Sequence, residues 1–399
     1  MTRRAAKSLH GLETAADPTP PDVATPAPVA SAHAARRIPV AKPRLPTLAA
    51  IAPYIECIDE ARWYSNFGPL CQEFETRLAE RYGVERDGVS TISNATIGLT
   101  LALKATGAPA GSLCIVPSWT FSASVHAVAE AGLTPLFVDV DREGLLTPQI
   151  VRQAIAAAPG EVSAVLPVAY CGQPIDPQPW DDFAAESGIA VVLDIAPGFD
   201  AARAGHGLTA VSLHATKVLG VGEGGFVMSR SPELVAATRL RANFGFSGSR
   251  IAQVVGTNGK LSEYAAALGL AGLDEWPARQ AAFRRAALRY CMNLVDQPVT
   301  LPHGWGVSWQ STTCVVRLVD PSRLAPVLDA LHRAGVETRA WWGRGMHTHP
   351  AFADYPRLAL HMTGQLAETT LGLPFFIDMT DDEIDLVCQA LREGLARCC

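Results

Sequence analysis

No stretch of this chain approaches the roughly 20 consecutive apolar residues that a helix needs to cross a bilayer, so no membrane span is expected. It also lacks a CxxC pair: its 9 cysteines stand singly until Cys398-Cys399. An odd count without framework spacing excludes a disulfide scaffold. It fits buried thiols in a reducing compartment and favours a cytoplasmic location. The ending Ala396-Arg-Cys-Cys399 is not a prenylation box. Basic residues are in short supply too. Lys and Arg total 33 against 39 Asp and Glu, a formal net charge of −6. No basic stripe follows phosphates, so nucleic acid is not an expected partner. There is no G-x-x-x-x-G-K-[ST] phosphate loop, and no apolar segment follows Arg3, Arg4 and Lys7 to make a secretory signal.

What remains is an apolar chain of 399 residues, 48% hydrophobic and 18% charged, with mean hydropathy +0.14. That suffices for a large core and more than one lobe. Residues 1–46 are rich in Ala, Pro and Thr, with Pro18-Thr-Pro-Pro21 and Pro26-Ala-Pro28, and read as a disordered extension. Beyond them, apolar runs alternate with helical stretches. Strands are expected at Val89–Ser93, Leu113–Pro117, Thr134–Val140, Val162–Ala169, Ile189–Ile195, Val211–Leu213 and Phe226–Ser229. Continuous apolar strands separated by helices imply an α/β fold with a mostly parallel seven-stranded sheet between helices. Residues 47–285 would form this large domain, ending in one long helix from Leu261 to Ala287. Residues 286–399 would form a smaller C-terminal α+β domain, with a strand at Thr313–Leu318 and helices at Pro326–Ala334 and Asp381–Leu395.

The polar residues of interest fall at strand ends, where such sheets bind ligands. Lys217 lies between the strand Val211–Leu213 and a glycine-rich turn. A lysine among apolar and small residues loses hydration, which favours the nucleophilic free amine. Asp194 ends another apolar strand and needs a buried partner; one it could hold is a protonated ring nitrogen. Asn94, Ala95 and Thr96 open a helix, where amides seat a phosphate, though an ordinary N-cap reads the same way. Ser212 offers a hydroxyl for an anion. Phe121, after Pro117-Ser-Trp-Thr120, could stack on a planar ring or pack in the core. Gly220-x-Gly222-x-x-Gly225 fits a dinucleotide fingerprint only formally, because it leads into a strand rather than a helix. His214 reads as a packed imidazole. His347 and His349 lack a third ligand, so no metal is expected; they and Phe67 are candidate substrate contacts.

Taken together, these motifs resemble the DegT/DnrJ/EryC1/StrS aminotransferases. His214-Ala-Thr-Lys217 followed by Gly222-Glu-Gly-Gly225 is similar to the family's Schiff-base lysine motif. Ser65-Asn-Phe-Gly-Pro69, Ser93–Thr96, Pro117–Phe121, Ala169-Tyr-Cys-Gly172, Asp194 and Ser212 match its other segments. Gly256-Thr-Asn258-Gly-Lys260-Leu-Ser262 resembles the loop whose asparagine reaches the cofactor phosphate of the other subunit. The sequence departs at Pro197, where the family often has Gln or His, at Lys260, usually Arg, and at Ala169, commonly His.

The resemblance implies the type I aminotransferase fold and pyridoxal 5'-phosphate. It makes Lys217 and Asp194 catalytic. Asn94, Ala95, Thr96, Phe121, Asp194, Ser212 and Lys217 would bind the cofactor, with Asn258 from the partner subunit of a homodimer. Relatives that dehydrate sugars carry His in place of the lysine, so Lys217 points to transamination. Glutamate is the expected amino donor and a nucleotide-linked keto-sugar the expected acceptor. A keto-cyclitol or another free ketone is an alternative acceptor, and a non-catalytic cofactor-binding regulator an alternative role.

Overall fold

The computed structural model describes residues 37–396. Helices α1 (Leu48–Ala61) and α2 (Pro69–Tyr82) lead into β1 (Val89–Ile92), α3 (Ala95–Ala105), β2 (Leu113–Pro117), α4 (Ser122–Glu130) and β3 (Thr134–Val138). Next come α5 (Pro148–Ala156), β4 (Val162–Val165), α6 (Gln178–Ser187), β5 (Ala190–Asp194), β6 (Leu208–Ser212) and β7 (Gly225–Met228). Helices α7 (Pro232–Ala242), α8 (Glu263–Asp274) and α9 (Trp276–Leu294) follow. The remainder holds β8 (Val299–Thr300), β9 (Cys314–Leu318), α10 (Leu324–Arg333), α11 (His361–Thr369), β10 (Thr370–Leu373) and α12 (Asp381–Ala396).

The first seven strands form one sheet in the order β1-β7-β6-β5-β4-β2-β3. Strand β7 runs antiparallel to both neighbours, and the other pairings are parallel. This is the expected mostly parallel α/β sheet. Its strands are apolar throughout because both faces are covered. Ile92, Val116, Val192, Ala210 and Val227 pack with residues of α3, α4 and α7 on one face. Ile115, Val165, Val191, Leu193 and Val211 belong to the core on the other. Side chains alternate along a strand, so Asp194 and Ser212, two places beyond Val192 and Ala210, project to the α3/α4 face.

Two differences from expectation have clear causes. The single helix expected over Leu261–Ala287 is two, broken at Glu275. Pro277, in the first turn of α9, cannot donate to the carbonyl one turn back, and its ring would collide with it. The last residues of the expected disordered extension are instead packed. Ile38 and Val40 are buried, Ile38 bridges Val336, and Val40 accepts from the amide of Phe375 at 3.1 Å. The alternating Ile38-Pro-Val40 gives this short stretch an apolar face despite its proline. The rest of the extension lies outside the described residues.

The C-terminal strands form a separate antiparallel sheet, β10-β9-β8. No described helix is long and apolar enough to cross a membrane.

Candidate active site

Strand β5 delivers Asp194, 4% exposed, to the C-terminal edge of the sheet. Its Oδ1 accepts from the amide of Ala196 at 3.0 Å, and its Oδ2 from the hydroxyl of Ser124 at 2.7 Å. Burial pushes the carboxyl above its ordinary range, while these two donors and the Lys217 ammonium favour the anion. Ser212 ends the neighbouring β6 and is buried; its Oγ accepts from the amide of His214 at 3.2 Å.

Lys217 lies just beyond β6, its amide bonded to the carbonyl of His214 at 2.8 Å. The side chain keeps some solvent contact but is packed densely enough for desolvation to dominate. Its ammonium is therefore held below the ordinary lysine range, and Asp194 and the nearby Cys171 only partly offset this. The lowering favours the free amine over the ammonium.

Helix α3 opens toward the same edge. The Asn94 side chain accepts from the amide of Ile97 at 2.9 Å, an ordinary N-cap. The amides of Ala95 and Thr96 lie in the first turn, where helix geometry leaves donors for an external acceptor. Gly225, at the start of β7, backs this turn. A Cβ there would stand 3.0 Å from the Ala95 nitrogen, so the close approach requires glycine. Gly222 is needed for its left-handed φ of 91°. The glycine-rich turn thus serves the chain's own packing.

Phe121 is 60% exposed at the start of α4. An apolar ring left open at the start of the helix whose Ser124 bonds Asp194 is available for stacking, and core packing does not account for it. Asn258 is exposed on a loop bridged to Asn243. Lys260 in that loop lies over the Phe244 ring at 4.6 Å.

The remaining candidates have local partners. Phe67 covers the Arg239 guanidinium at 3.8 Å. The His347 Nδ1 is 2.7 Å from the Ser118 hydroxyl, which joins it to the turn carrying Phe121. His349 stacks on Phe352. His214 is not packed as expected: its ring is 43% exposed, with Nδ1 2.9 Å from the Thr216 hydroxyl. Two nearby groups escaped the sequence reading. Ser124 has no local signal, because its partner is Asp194, far away in sequence. Cys171 has positive φ in the turn Tyr170–Gly172, and burial raises its thiol to about 12. The stretch assigned to disorder also contributes, since Lys42 and Arg44 line a pocket with Lys217, Arg279 and Thr312.

These residues match a phosphorylated pyridine aldehyde part by part. The site offers helix amides and a hydroxyl for phosphate, an open aromatic face, a hydrogen-bonded carboxylate and an amine of lowered pKa. Comparison with known proteins decides the family. Residues 48–392 match the model of the DegT/DnrJ/EryC1/StrS aminotransferase family. The chain belongs to that family.

This aminotransferase is 29% identical over 365 residues to the dTDP-4-amino-4,6-dideoxy-D-glucose transaminase of Shigella dysenteriae, covering 89% of this chain and 98% of the relative. It is 33% identical over 351 residues to the erythromycin biosynthesis sensory transduction protein EryC1 of Saccharopolyspora erythraea, covering 83% and 92%. The crystal structure of DesI in the presence of its TDP-sugar product superposes with a TM-score of 0.81 at 32% identity, covering 90% of this chain and 93% of that one. The chain is a pyridoxal-phosphate-dependent transaminase of the sugar aminotransferase family.

Proposed function

We propose that this aminotransferase moves an amino group from glutamate to a nucleotide-linked keto-sugar, as a cytoplasmic homodimer. The observation that carries the reading is the convergence of Asp194, at the end of β5, with Lys217, just beyond neighbouring β6, close enough to influence each other's ionisation. When bound, pyridoxal phosphate supplies a carbonyl for the amine and a protonated ring that accepts an electron pair. The Asp194 carboxylate would accept the ring N–H and keep its charge in place. The amides of Ala95 and Thr96 with the Ser212 hydroxyl would hold the phosphate, and Phe121 would cover one ring face. The Lys217 amine would serve as the group that takes up the proton of the donor's α-carbon and gives it back, as base and then as acid.

Exposed apolar residues support the dimer: Trp63, Tyr64, Phe244, Ile251, Val255 and Tyr264. Asn258 lies among them in sequence and would reach across to the partner's phosphate. The described cysteines are free, as in a reducing compartment. Pro197 and the relation to EryC1 favour a second reading, a regulator that binds the cofactor without turnover; the retained Lys217 speaks against it.

The test is a half-reaction. Glutamate added to the loaded enzyme should bleach its visible absorbance and release one 2-oxoacid per site, and Lys217→Ala should lack that band. A band that persists with every amino donor tried sinks the proposal. A panel of keto-sugar nucleotides and free keto-cyclitols then selects the acceptor.

A further inference from the structure

The carboxylate of Asp194 stands at the end of a chain of hydroxyls. Ser124 Oγ lies 2.7 Å from Asp194 Oδ2 and 2.8 Å from Thr120 Oγ1. Ser124 and Thr120 are fully buried. A hydroxyl carries one proton. Ser124 gives its proton to the carboxylate and must accept from Thr120, so the chain runs Thr120 to Ser124 to Asp194. Thr120 precedes the N-cap Phe121 and Ser124 lies in the first turn of α4, so the opening of one helix brings both hydroxyls into line with Asp194.

We propose that Ser124, backed by Thr120, is a positioning residue that fixes Oδ2 of Asp194 and keeps that carboxylate ionised while the cofactor is bound. The proposal rests on the assignment of Asp194 to the ring nitrogen. Its physical basis is solvent replacement. Burial removes the water that would stabilise the anion, and polarised donors aligned toward Oδ2 take its place. The groups facing this carboxylate from neighbouring elements are the Ala196 amide, Lys217 beyond β6 and, through Lys217, the Cys171 thiol. Of the two hydrogen bonds to this carboxylate, the one from Ser124 is the shorter, 2.7 Å against 3.0 Å from the Ala196 amide.

The experiment measures equilibrium affinity for pyridoxal phosphate across a pH series, which involves neither amino donor nor acceptor. Ser124→Ala should move the acid-side midpoint of that profile up by about one pH unit, a loss of roughly tenfold on the acid side. Ser124→Thr should restore the wild-type profile. Thr120→Val should shift it in the same direction by less, and it carries the test if Ser124→Ala fails to fold. Asp194→Asn should bind weakly at every pH and converge with the other proteins at the acid end, where Asp194 is protonated in all of them. Profiles of Ser124→Ala and Thr120→Val that superpose on wild type, with Asp194→Asn still weak, overturn the role of Ser124 alone. An Asp194→Asn protein that binds like wild type removes the assignment of Asp194, and this proposal with it.

Discussion

Burying Lys217 near Asp194 has a cost that the apoprotein should reveal. The lowering of the lysine exceeds what Asp194 and Cys171 restore, so the charged side chain is on balance destabilising. The sign follows from linkage. Between the folded pKa and the ordinary 10.5 the unfolded chain binds more protons, so stability rises with pH in that window. Below the folded pKa the penalty is complete; above about 10.5 it is gone. Lys217→Met keeps the length of the side chain without the charge. The Met variant of the apoprotein should melt roughly a few degrees above wild type at neutral pH, with the gap closing near about pH 10. Thermal melts at both pH values decide it, and a gap that stays constant refutes the electrostatic account. At this scale the sequence was partly legible. Lys217, Asp194 and Ser212 could be found because each sits where an apolar run ends. Ser124 and Cys171 could not, because what makes them matter is a contact with residues distant in the chain.

Helix α2 shows how elements are joined by side chains that no local pattern discloses. Its N-cap, Gly68, has no side chain to offer. The cap comes from Glu263 at the start of α8, whose buried carboxylate accepts from the amides of Leu70 at 2.7 Å and Cys71 at 3.1 Å. An anion at a helix N-terminus also meets the positive end of its dipole. Glu263→Ala leaves two buried amides unpaired and should cost about 1–3 kcal/mol. Glu263→Gln, which keeps one acceptor, should cost less. Urea denaturation measures both, and an Ala variant within roughly 0.5 kcal/mol of wild type would show that water replaces the cap. The strands of the large sheet were legible to within a few residues, since buried strands read as continuous apolar runs, whereas α1, β8, α11 and β10 had no expected counterpart. Strand β6 begins at Leu208, ahead of the expected Val211, because Thr209 looks polar in sequence yet is buried in the sheet. The break between α8 and α9 follows from Pro277, which a purely apolar periodicity overlooks.

For the molecule as a whole, the proposed homodimer makes a prediction that a monomeric enzyme would not satisfy. Ile251 and Val255, 73% and 88% exposed, flank the sequence that leads to Asn258. Apolar surface of that kind, clustered beside the residue meant to reach a partner, is characteristic of an interface. A Val255→Glu variant should therefore shift toward monomer in sedimentation and lose cofactor affinity together. Complementation tests the sharing directly. Lys217→Ala removes the amine from its own site, and Asn258→Ala removes the phosphate contact from the partner's site. A mixed dimer of the two concentrates both lesions in one site and leaves the other site wild type. Random reassortment makes half the dimers mixed, so an equimolar mixture should regain about one quarter of wild-type activity beyond what the parents contribute. A mixture no more active than the average of its parents means that each subunit builds its site alone, and Asn258 would then have to act within its own chain.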